Sequence, residues 1–374
     1  MKLSNFNLMI NENTKIYVAA PAGVATGGPE LLHQLVYHLR NDLGRDAYMY
    51  YYPSTSNNPV HPAYRDYNNP FVHHIADEPQ NILIVPEVVS GVQLLKRYKK
   101  LQKVIWWLSV NNFLISAVSA NKFSRFTLVR VLNKAASSLG RSLEWDYREV
   151  ILAKILPNKS ATLKLFKTYD IYQANLHMCQ SYYAMDFLTS MSIKNKVYLS
   201  DYLNKEFLKQ NFDPKEKADL VAFNPKKGRM FTTQIIKAGR GIDFVPIEKM
   251  TRTEVIDLLR RAKVYIDFGD HPGKDRIPRE AAILGCCVIV GKRGSAANER
   301  DMPIPSKYKF EVTKANIPSI IKAILFCLEN YNRVYREFDE YRMIIKKEPE
   351  LFLQDLERIF GAGKTKQSVP KGAA

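Results

Sequence analysis

The densest run of reactive side chains lies between Asp267 and Glu299. An apolar stretch ends at Phe268, and a Gly/Pro-rich loop then presents Asp270, His271, Lys274, Asp275 and Arg276. A helix expected over Pro278–Leu284 carries Glu280 in its first turn. Polar groups gathered at the carboxyl end of a parallel strand stand where open α/β sheets bind ligands. After the next apolar run, Cys287–Val290, comes the loop Gly291-Lys-Arg-Gly-Ser-Ala-Ala297. Small residues let a phosphate approach backbone N–H groups closely, so Gly294, Ser295 and Ala296 form a candidate phosphate cradle. The plainer readings are a helix-dipole partner for Glu280 and an ordinary turn for Gly294-Ser295.

The elements that must position these groups follow a repeated pattern. Lys15–Ala20 reads as a buried strand, the loop from Pro21 to Pro29 contains Gly27 and Gly28, and Glu30–Leu39 has helical apolar spacing. Short apolar runs at Ala47–Tyr52, Asn81–Pro86 and Lys103–Leu108 are separated by helix-length segments, which predicts a parallel sheet with crossover helices. Further strands are expected at Asp170–Ala174 and Lys196–Ser200, with a helix at Gln180–Leu188 between them. The pattern restarts at Asp219–Phe223, and helical periodicity dominates from Ile317 to Ile359. The fold class is therefore α/β, doubly wound twice.

With 374 residues, 46% of them hydrophobic and 25% charged, the chain is long enough for two domains and is not disordered in composition. Its net charge of +18 favours anionic partners such as nucleotides, phosphorylated sugars, nucleic acid or acidic lipid. Cys179, Cys286, Cys287 and Cys327 lack metal-ligand spacing, so no zinc site or disulfide framework is expected and a reducing, cytoplasmic setting fits. The N-terminus has no signal-peptide pattern, and Val104–Ala120 is interrupted by too many polar residues to span a bilayer. His73-His74 with Asp77-Glu78 reads as a surface loop rather than a metal site. The glycine loop before Glu30 lacks both the P-loop ending and the dinucleotide fingerprint, leaving ATPase and dinucleotide readings poorly supported.

The stretch Pro278-Arg-Glu-Ala-Ala-Ile-Leu-Gly-Cys-Cys-Val-Ile-Val-Gly-Lys-Arg-Gly-Ser resembles the donor-site signature of retaining, nucleotide-sugar-dependent GT-B glycosyltransferases of the group 1 type. Gly27-Gly28-Pro-Glu-Leu-Leu is similar to the family's glycine segment at the interdomain cleft. The resemblance implies two Rossmann-like domains facing across a cleft: 1–200 for the acceptor, with a basic aromatic helical insertion, and 201–335 for the nucleotide-sugar. Helices over 336–360 would return to the first domain, leaving a flexible tail at 361–374. It implies that Glu280 binds the ribose, that Lys226, Lys227 and Arg229 with the 294–296 amides meet the diphosphate, and that Asp270, His271, Lys274 and Asp275 recognise the sugar, with Arg276 among the donor contacts. No permanently bound cofactor and no essential metal are implied, because cations can meet the leaving charge. Pro272 stands where the family carries a first acidic residue, and Ser109, Asn111 and Asn112 stand where many relatives have a histidine. With no side-chain base named, same-face attack in which the leaving phosphate takes the acceptor proton is the reaction implied. Asn111 and Glu87 are expected at the acceptor side.

Fifteen Lys and Arg against four acids between Val92 and Asp170, interleaved with Trp106, Trp107, Phe113, Phe123, Phe126 and Trp145, leave three readings open. These are a solvated basic helix pair, an anionic membrane surface reached from the cytoplasm, and single-stranded nucleic acid. Two rival functions remain: a nucleotide-sugar epimerase of the same shape, and a non-catalytic nucleic-acid-binding module. The acceptor implied by resemblance is a glycan or lipid-linked glycan of surface polysaccharide or glycoconjugate synthesis.

Overall fold

A computed structural model of the chain describes residues 8–53, 58–120 and 147–361. Two all-parallel sheets are built from the expected alternation. The first comprises β1 Lys15–Pro21, β2 Asp46–Tyr52, β3 Phe71–Val72, β4 Ile82–Pro86, β5 Gln102–Trp107, β6 Leu176–Cys179 and β7 Lys196–Tyr198, in the order β3-β2-β1-β4-β5-β6-β7. The second comprises β8 Ala218–Phe223, β9 Asp243–Pro246, β10 Ala262–Asp267, β11 Cys287–Gly291 and β12 Lys309–Phe310, in the order β12-β11-β10-β8-β9. Strand order reverses direction between β1 and β4 in one sheet and between β8 and β10 in the other. At such a reversal, successive crossovers leave on opposite faces and open a crevice at the strands' carboxyl ends.

The principal helices are α1 Gly27–Asn41, α2 Val110–Ala120, α3 Tyr147–Ile155, α4 Lys159–Thr168, α5 Tyr182–Ser190, α6 Arg229–Ala238, α7 Arg252–Arg261, α8 Arg276–Ile283, α9 Ile317–Glu329 and α10 Asp339–Phe360. Alternate residues of the first sheet feed opposite cores, as the pleat requires. Tyr17, Leu83, Ile105 and Trp107 pack on one face, and Ile16, Val18, Ile84 and Trp106 on the other. The second domain has one continuous core around Val221, Ile266, Val288 and Ile324. Helix α10 joins the two: Tyr341 and Ile345 pack in the second domain's core, whereas Phe352, Leu356 and Phe360 pack in the first.

Two expectations are corrected here. The run Asp170–Ala174 is not a strand; Asp170 adopts φ 55° and starts a tight turn, and the strand is Leu176–Cys179, whose His177 interrupts its apolar pattern. That imidazole is buried because its Nδ1 accepts the Trp107 indole N–H at 3.0 Å. Trp106, Trp107 and Phe113 are fully buried, so these three are core residues rather than an aromatic surface. Phe123, Phe126 and Trp145, with the basic residues between 121 and 146, lie outside the described residues.

Candidate active site

A cavity of about 700 Å³ lies between the domains, lined by the loops at both sheet reversals. The first domain contributes Gly27, Gly28, Glu87, Ser109, Asn112 and Arg148; the second contributes Lys226, Lys227, Lys249, Asp267 and the loop 272–278. The domains touch directly around it. Val110 N–H donates to the Pro272 carbonyl at 3.0 Å, and the Gln180 side chain bonds both the N–H and the carbonyl of Lys274. Asp301 accepts the Tyr182 and Tyr183 N–H groups at 2.7 and 2.8 Å, closing the first turn of α5 from across the boundary.

Two helices begin at this cavity, α1 after Thr26 and α8 after Asp275; α6 starts just beyond the lining Lys227, and none of the three has a side-chain hydrogen bond capping its first turn. Elsewhere α4, α5 and α7 are capped by Asn158, Ser181 and Thr251, whereas α9 and α10 are not. First-turn N–H groups and positive helix ends attract an anion. Lys226, Lys227, Arg276 and Lys249 add cations to the lining.

Lys227 is the most tightly placed of these. Its Nζ stands 2.7 Å from Asp275 Oδ2. Burial alone would lower its pKa, but Asp275 and Asp267 outweigh burial and hold it above the ordinary lysine value. Burial likewise pushes Asp275 upward, and Lys227 with His271 reverse this and bring it down to about 2. Gly228, at φ 58°, lets the chain turn into α6 against Phe268, where a Cβ would lie 2.5 Å from the carbonyl oxygen.

Behind the cavity wall is a buried ion cluster that the sequence reading did not contain. Arg279 meets Asp201 at 2.6 Å and Glu348 of α10 at 2.7 Å, and Lys274 meets Glu348 at 2.7 Å and donates to Ser200 Oγ at 2.7 Å. Two cations balance two carboxylates, which is what makes their burial tolerable. One signal for it was available: Glu348 continues the buried stripe Tyr341, Ile345, Phe352, Leu356 along α10.

The expected site residues divide accordingly. Gly27, Gly28, Lys226, Lys227, Asp275 and Arg276 line the cavity. Lys274 lines it too, but its ammonium is held by Glu348 and Ser200 rather than offered to a sugar. Glu280 is buried beside Arg276 and Arg279; its pKa is raised by burial against the pull of both cations, and it sits behind the wall, not on it. Gly294, Ser295 and Ala296 do not line the cavity, and two of their amides are engaged within the protein: Ser295 N–H donates to the His271 carbonyl at 2.8 Å and Ala296 N–H to the Arg293 carbonyl at 3.3 Å. Their turn supports the site loop from behind. Asp270 stands 3.9 Å from Arg293, and neither it nor Arg229 lines the cavity.

On the first domain's side, Asn111 does not line the cavity and accepts the Tyr183 hydroxyl at 3.2 Å, while its neighbour Asn112 lines it and accepts from Arg148 at 3.0 Å. Glu87 lines it while buried, with Oε2 accepting Leu108 N–H at 3.0 Å, so it braces the turn into α2. Burial pushes its pKa up to about 8 against the backbone N–H bonds. His271 is fully buried beneath the wall, between Asp267 and Asp275. Asp267, His271 and Asp275 are the one group of three possible metal ligands among the described residues. Their charge is met by protein, since Lys227 stands on Asp275 and Asp267 accepts the Tyr265 hydroxyl and Gly269 N–H.

The architecture is that of the GT-B fold. Sucrose-phosphate synthase from Thermosynechococcus elongatus superposes with a TM-score of 0.59 at 11% identity, over 93% of this chain and 98% of that one. Anabaena HepE, solved with UDP-glucose, gives 0.53 at 12% identity over 92% and 99%. The lipopolysaccharide outer core galactosyltransferase WaaB gives 0.52 at 11% identity over 93% and 99%. No protein-family model matches the chain, and no curated protein does.

Proposed function

We propose that the chain transfers a glycosyl group from a nucleotide-sugar to a hydroxyl of a glycan or lipid-linked glycan. The observation that carries this reading is the cavity between two sheet reversals, where the starts of α1 and α8 and the Lys226-Lys227 loop converge with Arg276. A nucleoside diphosphate leaving group develops charge as the glycosidic bond breaks, and preorganised N–H groups with cations stabilise that charge. The UDP-glucose bound by HepE supports a nucleotide-sugar as the ligand class.

In this reading Lys227, fixed by Asp275, and Lys226 meet the diphosphate. Glu280 orients the ribose from beneath, provided the start of α8 shifts to uncover it. The acceptor enters past Gly27-Gly28 and Asn112. Among the described residues of the first domain that line the cavity, the carboxylate is Glu87, and it is engaged by the backbone N–H of Leu108. This supports same-face attack, with the leaving phosphate taking the acceptor proton and the anomeric configuration retained. Lys227 and the helix starts supply positive charge toward the leaving diphosphate.

Exposed Lys96, Arg97, Lys99, Lys100, Lys154, Lys159, Lys164 and Lys167 on the first domain support contact with an acidic membrane face from the cytoplasm, where a lipid-linked acceptor would be met. No described helix is long and apolar enough to cross a membrane. A thermal-shift panel of nucleotide-sugars, followed by NMR analysis of the product, tests the function: a new glycosidic linkage supports transfer, and an isomerised donor supports the epimerase instead.

A further inference from the structure

Among the described residues, Arg148 is the cation that the first domain contributes to the cavity lining. It stands in the first turn of α3, and the helix period explains its direction. Ile151, Leu152 and Ile155 are buried in the first domain's core, and Arg148 precedes them by one and two turns on the same helix face. Where that apolar stripe reaches the cavity, a guanidinium takes the place of a further hydrophobic side chain.

The guanidinium is aimed as well as placed. Its Nη2 donates to Asn112 Oδ1 at 3.0 Å. Asn112 is fixed in turn at the start of α2, where its N–H meets both the carbonyl and the hydroxyl oxygen of Ser109 at 3.1 Å. Lys227, on the second domain's side of the same cavity, is held by Asp275 at 2.7 Å, and Arg148 is near enough for its charge to oppose that of the ammonium. Two like charges brought to one cavity from separate domains repel each other, and an anion between them replaces that repulsion with two attractions. A guanidinium suits a phosphate in that place, because its planar fork presents parallel N–H donors that match two phosphate oxygens.

We propose that Arg148 is a further catalytic residue, which binds the donor's diphosphate from the first domain, opposite Lys227, and stabilises the charge that gathers there during transfer. The proposal rests on the nucleotide-sugar reading above. When the bond from the anomeric carbon to the phosphate oxygen breaks, its electron pair stays on that oxygen, and the departing nucleoside diphosphate gains one negative charge until the acceptor's proton reaches it. Lys226 and Lys227 meet this charge from the second domain. Arg148 adds a cation from the other side, so the full grip forms only with the two domains together. A nucleoside that lacks phosphate gives Arg148 nothing to hold.

The test is calorimetric binding of UDP, ADP and GDP, each beside its own nucleoside, to the full chain. The wild type should bind at least one diphosphate more tightly than the matching nucleoside. Arg148→Gln keeps a polar side chain and loses the charge; it should weaken that diphosphate about 10- to 100-fold, the scale of a hydrogen bond to a charged group. Its nucleoside affinity and its Tm should match the wild type's. Arg148→Lys should recover part of the loss, since the charge returns without the fork. Asn112→Ala removes the aim but not the charge and should cost less than Arg148→Gln. A merely structural Arg148 predicts that diphosphate and nucleoside weaken together in Arg148→Gln, with no recovery in Arg148→Lys, and that result overturns the proposal. Unchanged diphosphate affinity in Arg148→Gln overturns it as well, including the case in which only the acceptor's KM rises, which would put Arg148 on an anionic acceptor. Both results leave the donor reading intact. Failure of the wild type to bind any of the three diphosphates overturns the donor reading, and the role of Arg148 with it.

Discussion

The Arg276 guanidinium at the start of α8 stands 2.7 Å from the Glu30 carboxylate of α1, so an ion pair joins the two domains beside the cavity. Glu30's other oxygen accepts from Asn204 at 2.9 Å. A ligand phosphate that draws on Arg276 must compete with Glu30, and a ligand shifts an equilibrium only by its differential interaction with the two states. Glu30→Gln keeps an acceptor for Asn204 and removes the competing charge. UDP-glucose affinity is expected to rise about 2- to 5-fold, the scale of a partly exposed pair. Weaker binding in calorimetry would count against competition.

The Arg279 cluster should dominate stability at the boundary. Arg279→Ala leaves Asp201 and Glu348 facing each other without their shared cation and should cost about 3–5 kcal/mol in urea unfolding, as broken buried pairs do. Glu348→Gln leaves Arg279 paired with Asp201 but strips the buried Lys274 of its carboxylate, so a loss of similar size is expected. A negligible loss in either variant would show that the cluster is not shared in the way its geometry implies.

Much of this arrangement was legible in the sequence, for definite reasons. Strands buried on both faces of a parallel sheet read as continuous apolar runs, which is why β1, β4, β5, β10 and β11 stand out. β6 did not, because His177 breaks the run and only the Trp107 indole makes that histidine acceptable in a core. The basic pair Lys226-Lys227 was recognisable because a loop after a strand end must face the crevice. Whether an amide is free was not: the Ser295 N–H depends on where the His271 carbonyl packs, and no local pattern encodes that contact. Asn111 and Asn112 show the same limit at one-residue resolution, since successive helix positions point about 100° apart. The Arg279 cluster joins residues 69 and 78 positions apart, beyond the reach of any spacing rule.

Glu87 gives the fold a pH dependence of known sign. Its folded pKa, about 8, is above the ordinary value of 4.5, so the folded state holds a proton that the unfolded state releases in between. The contribution is present below pH 4.5 and is lost as pH rises through about 8. Glu87→Gln keeps an oxygen for the Leu108 N–H and does not titrate. Relative to this variant, the wild type should lose about 1–3 kcal/mol between pH 5 and pH 8.5 in denaturant unfolding. Parallel pH profiles for the two proteins would refute the assignment.

Gly228 and Gly44 separate backbone strain from damage to the site. Both adopt left-handed φ, 58° and 63°, so alanine at either costs about 1–2 kcal/mol in backbone energy. At Gly44 a Cβ meets nothing within 4 Å, whereas at Gly228 it would press into the Phe268 carbonyl at 2.5 Å. Relief at Gly228 requires the loop to move away from β10, carrying Lys227 off Asp275. Gly44→Ala should therefore lower Tm slightly and leave UDP-glucose affinity unchanged. Gly228→Ala should lower Tm further and weaken that affinity about tenfold or more, the loss expected when a fixed charge-assisted contact is displaced. If both variants lose stability but bind donor alike, the placement of Lys227 by this turn is not what grips the diphosphate, and the helix starts alone must do so.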